Sequence, residues 1–157
     1  MLRTILFTTA ILAAAPAAAA SPAHFLRDAI QGDYSEVQLG RLIQVRGASA
    51  HVRHFGAMLT RDHRAGMLQA QAVARRERVR VRVTMKPEAR AELARLHRLS
   101  GVRFDREVRR YMIHDHKEDI AKFRAQARWG DRATARLARV TIPVLQRHLA
   151  MAESIRR

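Results

Sequence analysis

The chain has 157 residues, of which 30 are Lys or Arg and 14 are Asp or Glu, a formal net charge of +16. Its length fits one domain, and 48% apolar content with 4 Pro and 7 Gly excludes a disordered or collagen-like chain. The absence of cysteine excludes disulfide scaffolds, thiolate zinc sites, iron–sulfur clusters and cysteine nucleophiles.

Residues 1–20 read MLRTILFTTAILAAAPAAAA: one Arg, an apolar run from Thr4 to Ala15, and an Ala-x-Ala site ending at Ala20. This layout predicts a secretory signal peptide over 1–20 and a mature domain over 21–157. The run is shorter than the ~20 residues that span a bilayer, so an uncleaved anchor is the lesser alternative. No later stretch resembles a span, and the mature chain is expected in the periplasm. Losing Arg3 lowers the formal charge from +16 to +15.

From Ser21 the pattern is helical. Ser21-Pro22 suits a helix start, and Phe25, Ala29, Gly32, Glu36, Leu39 and Ile43 recur at spacings of three or four. Gly47-Ala48-Ser49 interrupts, and Val52, Phe55, Leu59, Met67, Ala70 and Ala74 carry a second helix to about Arg76. Arg78 to Thr84, RVRVRVT, alternates with period two and reads as an extended connector, since no other segment looks like a strand to pair with it. Pro87 begins a short helix with Leu93, Leu96 and Leu99, expected to close at Ser100-Gly101. Phe104-Asp105 opens a third long helix bearing Val108, Met112, Ile120, Phe123 and Ala127. After Gly130-Asp131 a last helix carries Leu137, Thr141, Val144, Leu145, Met151 and Ile155, with Pro143 expected to bend it.

Four long helices with short first and last connections and a long middle one predict an all-α fold: a ferritin-like four-helix bundle of two antiparallel hairpins, with a short extra helix in the crossover. One ionisable residue per long helix falls in the apolar stripe. Glu36 precedes Leu39 by three, His63 follows Leu59 by four, His116 follows Met112 by four, and His148 follows Val144 by four. Buried ionisable groups are costly unless paired or bound to metal. Three imidazoles and a carboxylate at one level would suit zinc, iron, manganese or copper. The competing reading is a hydrogen-bonded polar cluster that fixes helix register. Asp62 and Asp115 each precede a stripe histidine and point about 100° away from it, which suits them to orienting imidazoles or to hydrogen bonds between helices rather than to ligating.

Several chemistries are excluded or disfavoured. A di-iron carboxylate centre needs Glu-x-x-His on two helices, and no Glu-x-x-His occurs, so ferroxidase activity is not expected. Glycine-rich phosphate loops, G-x-S-x-G and H-E-x-x-H are also absent. His51 and His54 have surface spacing, His114 and His116 are two apart and face different ways, and His24 and His97 lack an evident partner. Only Lys86, Lys117 and Lys122 are lysines, so the basic charge is almost all arginine. Export removes chromosomal DNA as a target, and aromatic residues are few, so nucleic acid is disfavoured. Arg75, Arg76, Arg78, Arg80 and Arg82 around the connector instead suit an anionic envelope partner, phospholipid or lipopolysaccharide. A non-catalytic basic module of that kind is the alternative function.

The spaced set Phe25, Glu36-x-x-Leu39-Gly40, Val52-x-x-Phe55-x-x-Met58, Asp62-His63, Leu99-Ser100-Gly101, Phe104-Asp105, Met112, Asp115-His116 and Pro143-x-Leu145-x-x-His148-Leu149 resembles a bacterial family of exported proteins. That family is ferritin-like in fold, often labelled outer membrane protein, and of unknown function. The resemblance covers residues 22–155 and implies the four-helix bundle and the envelope location, but no activity.

Overall fold

Residues 19–156 are described by a computed structural model, so the predicted signal peptide lies almost entirely outside the described residues. Five helices follow in order: α1 Pro22–Arg46, α2 Ala50–Arg76, α3 Pro87–Leu96, α4 Gly101–Trp129 and α5 Arg132–Ser154. Among the described residues there is no strand, and no helix is long and apolar enough to cross a membrane.

The helix ends follow local chemistry. The hydroxyls of Ser21 and Ser49 accept from the amides of His24 and Val52, and the Asp131 carboxylate accepts from Ala133 and Thr134. α2 closes with Arg78 at φ +56°: its amide donates to the Arg75 carbonyl and that of Val79 to the Ala74 carbonyl. This is the Schellman arrangement, with Arg standing where glycine is favoured. Gly101, expected to close the short helix, instead begins α4 with φ +58°, while α3 ends at Leu96. Residues 97–100 join the two, and α4 starts three residues before the Phe104 predicted to open it. Pro143 sits inside a continuous α5.

α1 and α2 form one antiparallel hairpin, α4 and α5 another, and α2 also packs on α5. In the first hairpin two glycines let the backbones touch. A Cβ at Gly56 would lie 2.3 Å from the Gln44 nitrogen and 2.7 Å from the Gly40 oxygen. The connector is strapped along α1. The Gln31 amide donates to the Arg82 carbonyl, the Lys86 backbone N–H donates to the Ser35 hydroxyl, and the Lys86 ammonium pairs with Asp28 at 2.8 Å. Val79 and Val81 pack inward while Arg78, Arg80 and Arg82 are exposed, which is what the period-two alternation encodes without any sheet.

The core is divided in two. One apolar cluster gathers Leu39, Ile43, Phe55, Leu59, Phe104, Met112 and Ala152; the other gathers Leu26, Ile30, Ala70, Ile120, Phe123 and Leu145. Between these halves, on all four long helices, lie the buried polar residues Glu36, His63, His116 and His148.

Candidate metal centre

Each of these four residues enters the core because its helix keeps a three-and-four apolar rhythm on both sides of it. The three histidines meet: one nitrogen from each of His63, His116 and His148 lies within 4.8 Å of the others. Among the described residues no other group of three or more potential ligands converges in this way. The rings pack obliquely, His63 on His148 at 4.9 Å and His116 on His148 at 5.4 Å between centroids.

Every imidazole is held from behind. His63 Nδ1 is 2.9 Å from Asp33 Oδ1, His148 Nε2 is 3.1 Å from Asp62 Oδ2, and His116 Nδ1 is 3.0 Å from the Met112 carbonyl oxygen. Carboxylate and carbonyl oxygens only accept, so these outer nitrogens carry the protons. The inner nitrogens His116 Nε2 and His148 Nδ1 are then left with lone pairs, and His63 Nε2 has one whenever that imidazole is neutral. His116 Nε2 and His148 Nδ1 face each other at 3.3 Å without a proton to share. His63 Nε2 and Glu36 Oε2 are buried, have no hydrogen-bond partner, and stand 4.0 Å apart. An ion bonded tetrahedrally at 2.0–2.1 Å separates its ligand atoms by about 3.4 Å. One of these pairs is at that spacing and the other slightly open.

The electrostatics also favour a cation. Burial pushes the Glu36 carboxyl up to about 8, with the charge of Asp115 adding to it. Burial lowers His148 to about 4 and His116 well below the usual imidazole range, each reinforced by His63. His63 goes the other way. Burial alone would depress it, but its hydrogen bond to Asp33 and the nearby acidic charges lift it to about 9. Without metal, the one positive charge in the layer is therefore a proton on His63, and a metal ion would replace it.

The other sequence-predicted residues are placed as follows. Asp62 holds an imidazole, but that of His148 on α5 rather than that of its neighbour His63. Asp115 does not hold His116: its oxygen is 3.9 Å from Nδ1, which bonds to the Met112 carbonyl instead. Burial and then Asp119 raise the Asp115 carboxyl to about 7. His51 bonds to Ser154 at the surface. Arg75, Arg76, Arg78, Arg80 and Arg82 are all exposed and none belongs to the histidine cluster. Asp33, missed in the sequence, was signalled by its spacing of three from Glu36, which puts both carboxylates on neighbouring faces of α1. Gly66 makes room for it, since a Cβ there would lie 3.0 Å from Asp33 Oδ2. A cavity of about 440 Å³ in the α2–α5 seam reaches Asp33, Asp62 and His63, with Arg136 and Arg147 on its wall.

A family model described as Domain of unknown function (DUF4142) matches residues 8–155, and the chain belongs to this family. No curated protein matches the chain, and no solved structure does.

Proposed function

We propose that this DUF4142 protein is a ferritin-like four-helix bundle that binds one transition-metal ion through His63, His116 and His148, with Glu36 as the carboxylate ligand. The observation that carries the reading is the proton accounting of the three imidazoles. Each directs its outer N–H at an acceptor, Asp33, Met112 or Asp62, which leaves His116 Nε2 and His148 Nδ1 unprotonated and His63 Nε2 free to exchange its proton for the ion. A purely structural polar cluster would pair its inner atoms, whereas here His63 Nε2 and Glu36 Oε2 are orphaned in the core. The nitrogen-rich donor set suits zinc, copper or iron, and Glu36 admits manganese. Two antiparallel hairpins joined by a long crossover support the ferritin-like wiring, while the lack of Glu-x-x-His argues for a single ion rather than a di-iron pair. In this reading residues 1–20 are an export signal and the protein works in the periplasm.

The test is thermal. Zinc, manganese, copper or iron at a hundredfold its dissociation constant stabilises the fold by about 2.7 kcal/mol. At this chain length that is roughly 8 °C in melting temperature. The gain disappears in the His63→Ala, His116→Ala double variant. If none of the four ions shifts the wild-type melting temperature, the reading is wrong.

A further inference from the structure

One end of the helix stack has the makings of a membrane-facing surface. The N-termini of α1 and α5 and the C-termini of α2 and α4 meet there, with Phe25 against Phe123 at 5.0 Å and Val79 and Val81 packed on the same cluster as Leu137. Arg75, Arg76, Arg78, Arg128 and Arg132 are exposed at this end. Opposing them are Glu77 and Asp131, and the Asp131 carboxylate is engaged in capping α5. Trp129, the single tryptophan of the chain, is 52% exposed, and the Arg128 guanidinium lies 4.6 Å above its ring. Val140, 56% exposed, lines a groove between α2 and α5 together with Arg132 and Arg136.

Indole is apolar over most of its surface with one polar N–H, which favours the headgroup depth of a bilayer, and guanidinium groups around it match phosphate. The chain enters the fold here as well. Ala20 packs on the cluster at this end. The opposite end exposes Val45, Val102 and arginines such as Arg98 and Arg103, but no Phe, Tyr or Trp among the described residues, and Arg46 there is tied to the carbonyls of His97 and Leu99.

We propose that the protein docks end-on, through Trp129 and the surrounding arginines, on a bilayer containing anionic phospholipid. The inference is independent of the metal centre, whose residues lie in the middle of the helices.

Trp129 serves as its own reporter. The mature chain, residues 21–157, is mixed with vesicles of phosphatidylcholine plus phosphatidylglycerol, and in parallel with phosphatidylcholine alone. The expected result is a blue shift of Trp129 emission, quenched by brominated acyl chains, with anionic vesicles and little change with neutral ones. Affinity falls steeply with added salt. Each arginine near the surface is worth on the order of fivefold, so Arg75→Gln, Arg76→Gln, Arg78→Gln together weaken binding roughly a hundredfold. Arg98→Gln with Arg103→Gln at the opposite end leaves it unchanged. All these side chains are exposed, and retained helical circular dichroism verifies that each variant folds. Equal binding to both vesicle types would show that attachment does not depend on anionic headgroups and overturn the proposal. Sedimentation with anionic vesicles without a Trp129 shift would mean another face docks, and would overturn it too. Tight binding to duplex DNA without vesicle binding would reassign the arginines to nucleic acid.

Discussion

Replacing Glu36 with Gln keeps the side-chain shape and removes the charge. Glu36 is buried, its Oε2 has no hydrogen-bond partner, and its carboxyl titrates near 8 rather than 4.5. Because the folded-state pKa lies above the unfolded one, Glu36 has no effect on stability below about pH 4, where both states are protonated. As pH rises from 4.5 toward 8 the unfolded chain ionises freely and the folded one resists, so stability is lost through that window. Integrated, the loss is about 1 kcal/mol at pH 5 and about 3 kcal/mol at pH 7. Glu36→Gln removes this loss, so the metal-stripped variant gains on the wild type by about 2 kcal/mol between the two pH values, on the order of 6 °C in melting temperature. Any cost of burying the amide itself does not vary with pH and drops out of the comparison. Urea melts of chelator-treated proteins at pH 5 and pH 7 measure it directly. With saturating zinc the order reverses, since the variant has lost a ligand. A stability difference that is flat with pH, or that runs the other way, would refute the account of Glu36 as an uncompensated buried acid awaiting a cation.

The outer partners of the imidazoles give a second expectation. Asp33→Ala and Asp62→Ala each weaken zinc binding by about 10- to 100-fold in calorimetry, because they remove the acceptors that hold the rings of His63 and His148; Asp115→Ala, which removes no ring partner, has a smaller effect. Gly56→Ala forces a methyl into the Gln44 and Gly40 backbones and destabilises the fold by about 3 kcal/mol or more, read as a lower urea midpoint. Unchanged stability there would mean the α1–α2 approach is looser than described. Arg78→Gly relieves a left-handed residue at the end of α2 and raises stability by about 1 kcal/mol. A drop would show that the Arg78 side chain contributes more than its backbone costs.

The sequence made the helices legible because burial imposes a period on each of them separately. Glu36, His63, His116 and His148 could be placed in core stripes from spacing alone, and the structure puts them between the two apolar clusters. What one helix cannot encode is which residue of another it meets. Asp62 pairs with His148, 86 positions away, rather than with the adjacent His63. Asp33 was missed although its spacing from Glu36 was visible, because it flanks the apolar stripe and only the approach of α2 at Gly66 brings it to His63. Asp115 was expected to orient an imidazole or bond to another helix, but His116 beside it uses the carbonyl four residues back in its own helix. Ser100-Gly101 read as a helix stop because glycine with positive φ commonly follows a helix; here that conformation turns the chain into α4.

The central claim is that three particular nitrogens and one carboxylate hold a single ion. Anomalous diffraction from zinc-soaked crystals tests it atom by atom. The account predicts one strong peak per chain in the layer between the two apolar clusters, about 2.0–2.1 Å from His63 Nε2, His116 Nε2 and His148 Nδ1, with a Glu36 oxygen at similar distance. A crystal whose only zinc sits on surface histidines such as His51 and His54, with the three buried imidazoles bare, would contradict it.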